Sequence, residues 1–145
     1  MEFGFYGYDK ANAAAKSDEY PGIKTPADLY EALMNIWCRY SCAPRMREEW
    51  SEDNPTLGQC SITAFLAQDI FGGRVMGIRL EDGGWHCFNV VGDCVFDLTS
   101  EQFKGKALDY NECCEQSREE HFSKEEKRLR YEYLRKCLKD QLRNN

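Results

Sequence analysis

Residues 56–69, TLGQCSITAFLAQD, predict the start of a helix that carries a cysteine in its first turn. Thr56 and Gln59 match a capping box, in which two side chains satisfy free backbone N–H groups at a helix start. An apolar helical face follows at Ile62, Phe65 and Leu66. A thiol in the first turn lies at the positive end of the helix dipole, which favours the reactive thiolate. Cys60 is therefore the candidate nucleophile.

Two downstream residues complete a candidate catalytic triad. His86 and Asp97 follow Cys60 in the chain, and they are residue types that serve as base and orienter for a thiol. A two-residue turn at Gly92 and Asp93 would place His86 and Asp97 on one face of a hairpin, as diagonal neighbours. A three-residue loop would send Asp97 to the other face. We expect the face that bears His86 to pack on the Cys60 helix.

Supporting roles in the site are predicted for the residues just before the cysteine. The backbone N–H of Cys60 or a neighbour could stabilise an oxyanion, helped by the side-chain amide of Gln59. Gly58 would allow a substrate backbone to come close. Asn89 falls on the strand face opposite His86 and is interpreted as structural, and Cys87 and Cys94 are expected to face away from His86.

The pattern of the whole chain predicts an α+β fold, with a small antiparallel sheet packed on the central Cys-bearing helix between flanking helices. The N-terminal helix is predicted to begin at Thr25-Pro26 and to continue to about Tyr40, and Gly72-Gly73 ends the central helix. Strands are predicted at residues 74–80, 85–91 and 94–98, and a short helical turn at 99–103. We interpret residues 1–145 as a single domain: an N-terminal arm (1–22), a motif-bearing core (23–103), and a polar connection with a C-terminal amphipathic helix (104–145).

The C-terminal helix presents an apolar stripe that must be covered. A second capping-box pattern at Ser123 and Glu126 marks its expected start. The stripe consists of Leu129, Tyr133, Leu134, Cys137, Leu138 and Leu142. Two alternatives remain open: the stripe packs on the domain itself, or it forms a symmetric homodimer.

Net charge, apolar runs and cysteine content argue against some classes of protein. The net charge of −6 over 145 residues argues against nucleic-acid binding, which needs a basic face. No apolar run has the length of a membrane span, and the N-terminus lacks the pattern of a secretory leader, so we expect a cytoplasmic protein without membrane contact. Most of the eight cysteines are expected to be reduced. No cofactor or metal is predicted, although Cys60, His86 and Asp97 are also metal-ligand types.

The motifs around these residues resemble the YunG-like family of small bacterial proteins. The similarity lies in Gly58-Gln59-Cys60, Gln68-Asp69 with Gly72-Gly73, His86 with Asn89, and Asp97-Leu98-Thr99 with Gln102-Phe103. It covers roughly residues 57–103, with a weaker similarity at 29–37. The family is similar to papain-like and transglutaminase-like proteins in its Cys, His, Asp order, which implies a cysteine-proteinase-like fold with a thiol site.

Two functions follow as hypotheses. The first is a cysteine-dependent hydrolase or acyltransferase that acts on an amide, ester or thioester carbonyl of a small-molecule or peptide substrate. The second is a non-enzymatic protein-interaction module that retains the thiol-protease-like fold.

Overall fold

The computed structural model describes residues 4–144, and within them the fold is α+β, as predicted. The helices are α1 (Pro26–Leu33), α2 (Cys60–Phe71), α3 (Arg118–Phe122) and α4 (Glu125–Arg143). The strands are β1 (Arg74–Arg79), β2 (Trp85–Val91), β3 (Cys94–Phe96) and β4 (Cys114–Glu115). Short 3₁₀ helices occupy Tyr8–Lys10, Pro44–Glu49 and Ser100–Phe103.

The sheet is antiparallel, with the strand order β3-β2-β1-β4. The two-residue turn between β2 and β3 is confirmed, since Val91 pairs with Cys94 and Val90 with Val95. Strand β3 ends at Phe96, earlier than predicted, because Asp97 leaves β2 and forms a bridge with Tyr6 instead. Strand β4 was not predicted from the sequence.

The start of α2 differs from the predicted capping box. Gln59 occupies the N-cap position and its side chain makes no capping bond. The N–H of Gln59 donates to the carbonyl of Thr56 at 3.2 Å, so Thr56 belongs to the preceding turn. That turn passes through Gly58, whose φ of +70° suits glycine. The predicted end at Phe71, with Gly72 at positive φ, is confirmed.

Helix α2 packs on the sheet face opposite the one that was predicted. Asn89 lies on that face and donates from Nδ2 to the carbonyl of Ala64 at 2.8 Å, which confirms its structural role. Cys87 and Val75 share a buried cluster with Ala64 of the helix. The face that bears His86 and Phe88 is instead covered by Phe103, at the end of the last 3₁₀ helix, and by the segment that follows it. The expectation that this face packs on α2 is wrong, because Asn89 and the small Cys87, rather than His86, fit against the helix.

The N-terminal segment packs against the rest of the chain. The side chains of Phe5 and Tyr20 are buried in the main hydrophobic cluster. Helix α1 begins at Pro26 with a capping box between Thr25 and Asp28. It ends at Leu33 rather than near Tyr40, and the chain continues as turns up to residue 42.

The C-terminal helix packs within the same fold. Leu134 and Leu138 are fully buried in the main cluster, whereas Leu129 and Tyr133 are 41% and 37% exposed. The stripe is therefore covered in part by the domain itself, the first of the two alternatives. The predicted start at Ser123 is wrong, because α4 begins at Glu125 and the capping serine in this region is Ser117, on α3.

None of the helices in residues 4–144 combines the length and the apolar character that crossing a membrane requires.

Candidate catalytic site

Cys60 lies at the N-terminus of α2 on the wall of an open cleft. The residue is partly exposed, and the cleft has a volume of about 850 Å³. Its sulfur is 3.9 Å from the carbonyl oxygen of Trp85, an acceptor for the thiol proton when Cys60 is neutral. The first N–H groups of a helix have no intrahelical partner, so the N–H groups of Cys60 and Ser61 are donors beside the sulfur.

His86 and Asp97 form a buried pair beside the cysteine. His86 Nε2 lies 2.6 Å from Asp97 Oδ2, and both side chains are 1% exposed. Asp97 Oδ1 accepts from the N–H of Thr99 at 3.2 Å, and Oδ2 also accepts from the hydroxyl of Tyr110 at 2.7 Å. These bonds fix the carboxylate, and the phenyl ring of Phe103 packs edge-on against the imidazole. The predicted contact between Asp97 and His86 is confirmed.

Cys60 and His86 line the same cleft although they come from opposite sides of β2, and each shifts the pKa of the other. Since Nε2 of His86 is bonded to Asp97, Nδ1 is the ring nitrogen left for the sulfur. The three predicted residues are thus brought together. Their catalytic role stays a prediction.

The electrostatics of the site favour a thiolate and an imidazolium. Burial opposes the charged form of His86, but the Asp97 carboxylate and the Cys60 sulfur outweigh it and raise the pKa of His86 to about 10. The pKa of Cys60 is held well below its usual range by a hydrogen bond from the Cys87 thiol, against the effect of burial, and by His86. Both shifts move the proton from sulfur to nitrogen.

Cys87 is a neighbour of the nucleophile that sequence reasoning missed. It lies on the strand face opposite His86, as predicted, but its thiol also reaches Cys60. The hydrogen bond to Cys60, together with burial, raises the pKa of Cys87 well above its usual range, so Cys87 stays a neutral donor. The sequence carries no signal for this contact, because it depends on how α2 is placed over β2.

The structure separates the two residues with predicted supporting roles, Gln59 and Gly58. Gln59 is fully buried, and its Nε2 donates to the carbonyl of Cys38 at 3.0 Å, away from the cleft. Gly58 lines the cleft, but a Cβ added there would lie 2.5 Å from the sulfur of Cys42. The glycine is therefore required by the chain's own packing and its positive φ, and Gln59 braces the loop at residues 38–42.

A second polar group faces the cleft from the C-terminal helices. Lys127 Nζ lies 2.9 Å from His121 Nδ1, and His121 Nε2 lies 3.0 Å from Gln116 Oε1. All three residues line the cleft that contains Cys60. The sequence carries no signal for this group, because residues 104–122 show neither helical nor strand periodicity.

The site is not arranged as a metal centre. Across residues 4–144, no group of three or more histidine, cysteine, aspartate or glutamate side chains has the arrangement of a metal site. His86 and Asp97 bond to each other rather than converging with Cys60 on a shared point.

Comparisons with known proteins extend the resemblance beyond the motif region. The family model described as "YunG protein" matches residues 25–143, which includes α1 and the C-terminal helices. The "Uncharacterized protein YunG" of Bacillus subtilis (strain 168) is 36% identical over 108 residues, which cover 73% of this chain and 84% of that protein. No solved structure matches. Helix α4 is thus part of the unit that relatives share, and the chain belongs to the YunG family.

Proposed function

We propose that the protein is a cysteine-dependent hydrolase or acyltransferase that acts on an amide, ester or thioester carbonyl. The observation that carries this proposal is that Cys60 shares an open cleft with His86, whose ring is hydrogen-bonded to Asp97. The Cys, His, Asp order is similar to that of papain-like proteins, and the position of the thiol at a helix N-terminus supports the same reading.

The reaction would proceed in two halves. The Cys60 thiolate attacks the carbonyl carbon, and the oxyanion that forms is stabilised by N–H groups at the start of α2. When the bond to the leaving group breaks, the His86 imidazolium gives its proton to that group, and a thioester to Cys60 remains. Water or an acceptor nucleophile then loses a proton to His86 and attacks the thioester, which releases the acyl group and restores the thiolate.

Asp97 would act through His86. Its carboxylate bonds to Nε2, which leaves Nδ1 towards the sulfur and stabilises the imidazolium. Thr99 and Tyr110 hold the carboxylate in place, so the orientation of the ring does not depend on a single contact.

The proposal is tested by alkylation of Cys60 with iodoacetamide between pH 5 and 9 (a range that spans the ordinary imidazole and thiol pKa values), read out on the Cys60 peptide by mass spectrometry. We expect reaction well below the pH at which an ordinary thiol ionises. The exposed Cys114 serves as an internal comparison in the same sample. Asp97→Asn should keep the fold and lower the reactivity of Cys60, because the imidazole loses its charged partner.

A second measurement tests acyl transfer itself. Incubation with p-nitrophenyl acetate should give a burst of p-nitrophenolate and an acetyl adduct on the Cys60 peptide, and Cys60→Ala should give neither. If Cys60 reacts with iodoacetamide only at the pH of Cys114 and forms no adduct, the hydrolase reading is wrong and the interaction module is favoured.

A further inference from the structure

The cleft contains a half-buried ammonium that has no carboxylate partner. Among residues 4–144, Lys127 takes part in no ion pair, and the polar contact of its Nζ is with His121 Nδ1 at 2.9 Å. Removing an ammonium from water is costly unless an opposite charge compensates it. A cation in this position therefore favours a negative group in the cleft.

His121 holds Lys127 without neutralising it. Burial, and then the charge of Lys127, lowers the pKa of His121 to about 4, so the ring is neutral at physiological pH. Its Nε2–H donates to Gln116 Oε1, which leaves the lone pair of Nδ1 to accept from the ammonium. The lysine is fixed in position and its charge stays available.

Other charges at the cleft are already paired or exposed. Arg130 is paired with Glu126, and Arg45 lies 3.8 Å from Asp82. Glu120 and Lys124 are both exposed at the rim and have opposite signs. Among the described lysines and arginines that line the cleft, Lys127 is the one that is neither exposed nor part of an ion pair.

The charge of Cys60 affects the pKa of Lys127. Burial lowers the pKa of Lys127, and the charge of Cys60 opposes this effect. Once Cys60 carries an acyl group as a neutral thioester, its negative charge is gone. The ammonium then faces the bound acyl group with no counter-charge from the sulfur.

We propose that Lys127, held by His121, anchors a carboxylate of the substrate, so that the site selects acyl compounds with a carboxylate close to the reacting carbonyl. This inference rests on the proposed function, because it assigns the substrate class of the same thiol site. Lys127 contacts the substrate in this scheme and does not take part in bond making.

Two matched pairs of thiol reagents test the anchor. Iodoacetate and iodoacetamide differ in a carboxylate next to the reacting carbon, and 3-maleimidopropionate and N-ethylmaleimide differ in a carboxylate farther from it. The measured quantity is the ratio of the rate constants for the anionic and the neutral reagent at Cys60, resolved by peptide at pH 8.5. An ordinary thiol is substantially ionised at that pH, so the ratio can be measured whether or not Cys60 is activated.

Lys127→Met should lower this ratio about fivefold in at least one pair, and Lys127→Arg should keep most of it. Lys136→Met is the matched control, because Lys136 lies on the same helix, is exposed and pairs with Asp140 outside the cleft. It should leave both ratios unchanged. Lys127→Gln replaces the Met variant if the latter fails to unfold cooperatively.

Unchanged ratios in both pairs for Lys127→Met, or for Lys127→Gln where it replaces the Met variant, overturn the anchor. Equal slowing of the neutral and anionic reagents also overturns it, since Lys127 would then act on the thiolate alone. Failure of the proposed function has a different signature: the neutral reagents would show no enhanced reactivity at low pH, whatever the ratio at pH 8.5.

Discussion

At the scale of single residues, the Cys60 thiol is governed by two neighbours of different kinds. His86 contributes a positive charge that Asp97 fixes in place, and Cys87 contributes a neutral S–H donor. A hydrogen bond donated to the sulfur stabilises the thiolate, as a nearby positive charge also does. The reactivity of Cys60 should therefore respond to a change at position 87 that leaves His86 and Asp97 intact.

We expect Cys87→Ala to move the midpoint of the Cys60 alkylation profile to higher pH, while His86 keeps it below that of an ordinary thiol. The measurement is the iodoacetamide rate at Cys60 against pH. Cys94→Ala is the control: it also removes a buried sulfur, but Cys94 lies on β3 and bonds to the carbonyl of Lys10. An identical profile in the Cys87 variant would show that the thiol pair does not set the pKa of Cys60.

Tyr110 supports the carboxylate of Asp97 and should matter for stability more than for reactivity. Tyr110→Phe removes a hydrogen bond to a buried charge, which should cost about 1.5–3 kcal/mol in the free energy of unfolding. The bond between His86 and Asp97 remains, so Cys60 should still react at low pH. Tyr8→Phe, at a ring that is 53% exposed, should change neither quantity. Loss of Cys60 reactivity without loss of stability would contradict this division of roles.

At the scale of elements, α4 has a buried side and an exposed side, and the two are represented by residues fewer than two turns apart. Leu134 is fully buried, and Leu129 is 41% exposed. Leu134→Ala should lower the free energy of unfolding by about 2–5 kcal/mol, because it removes a large apolar side chain and leaves a cavity. Leu129→Ala should stay within about 0.5 kcal/mol. Urea unfolding of both variants gives the comparison, and equal losses would mean that the exposed side is also covered.

Which elements the sequence could predict depends on whether a local rule sets them. The end of α2 at Gly72 and the register of β2 with β3 follow from a glycine and a two-residue turn, so both were predicted correctly. The same register placed His86 and Asp97 on one face, which is why their contact was predicted.

Features that depend on packing over long separations were missed. The face of the sheet that meets α2 is decided by Asn89, which bonds across to Ala64. The predicted Thr56–Gln59 capping box is absent because the Gln59 side chain donates instead to the carbonyl of Cys38, 21 residues away. Tyr110 and His121 come from a segment without periodicity, and their positions follow only from the folded chain.

At the scale of the whole molecule, the ion pair in the site links stability to pH. The pKa of His86 is raised to about 10, so its contribution to stability is full below about pH 6.5, the ordinary value, and is lost as the pH rises towards 10. The pKa of Cys60 is lowered, so its contribution is present above about pH 8.5 and is lost as the pH falls towards its folded value. Between about pH 6.5 and 8.5 the two contributions cancel, so the free energy of unfolding gains no pH dependence from this site. Folding there moves one proton from the Cys60 sulfur to a His86 nitrogen and neither binds nor releases a proton.

The stability difference between the wild type and Cys60→Ala isolates this effect from all other titrating groups. In the variant, Asp97 still holds a proton on His86, so the free energy of unfolding of the variant falls as the pH rises from 6.5. In the wild type, the site adds no pH dependence to the free energy of unfolding over this range. The difference should therefore grow with pH by at most about 1.4 kcal/mol per unit up to about pH 8.5 and then level off. Urea unfolding of both proteins at pH 6.5, 7.5, 8.5 and 9.5 measures it. A difference that stays constant from pH 6.5 to 8.5 would mean that Cys60 is a neutral thiol in the folded protein, and that His86 holds its proton without help from the sulfur.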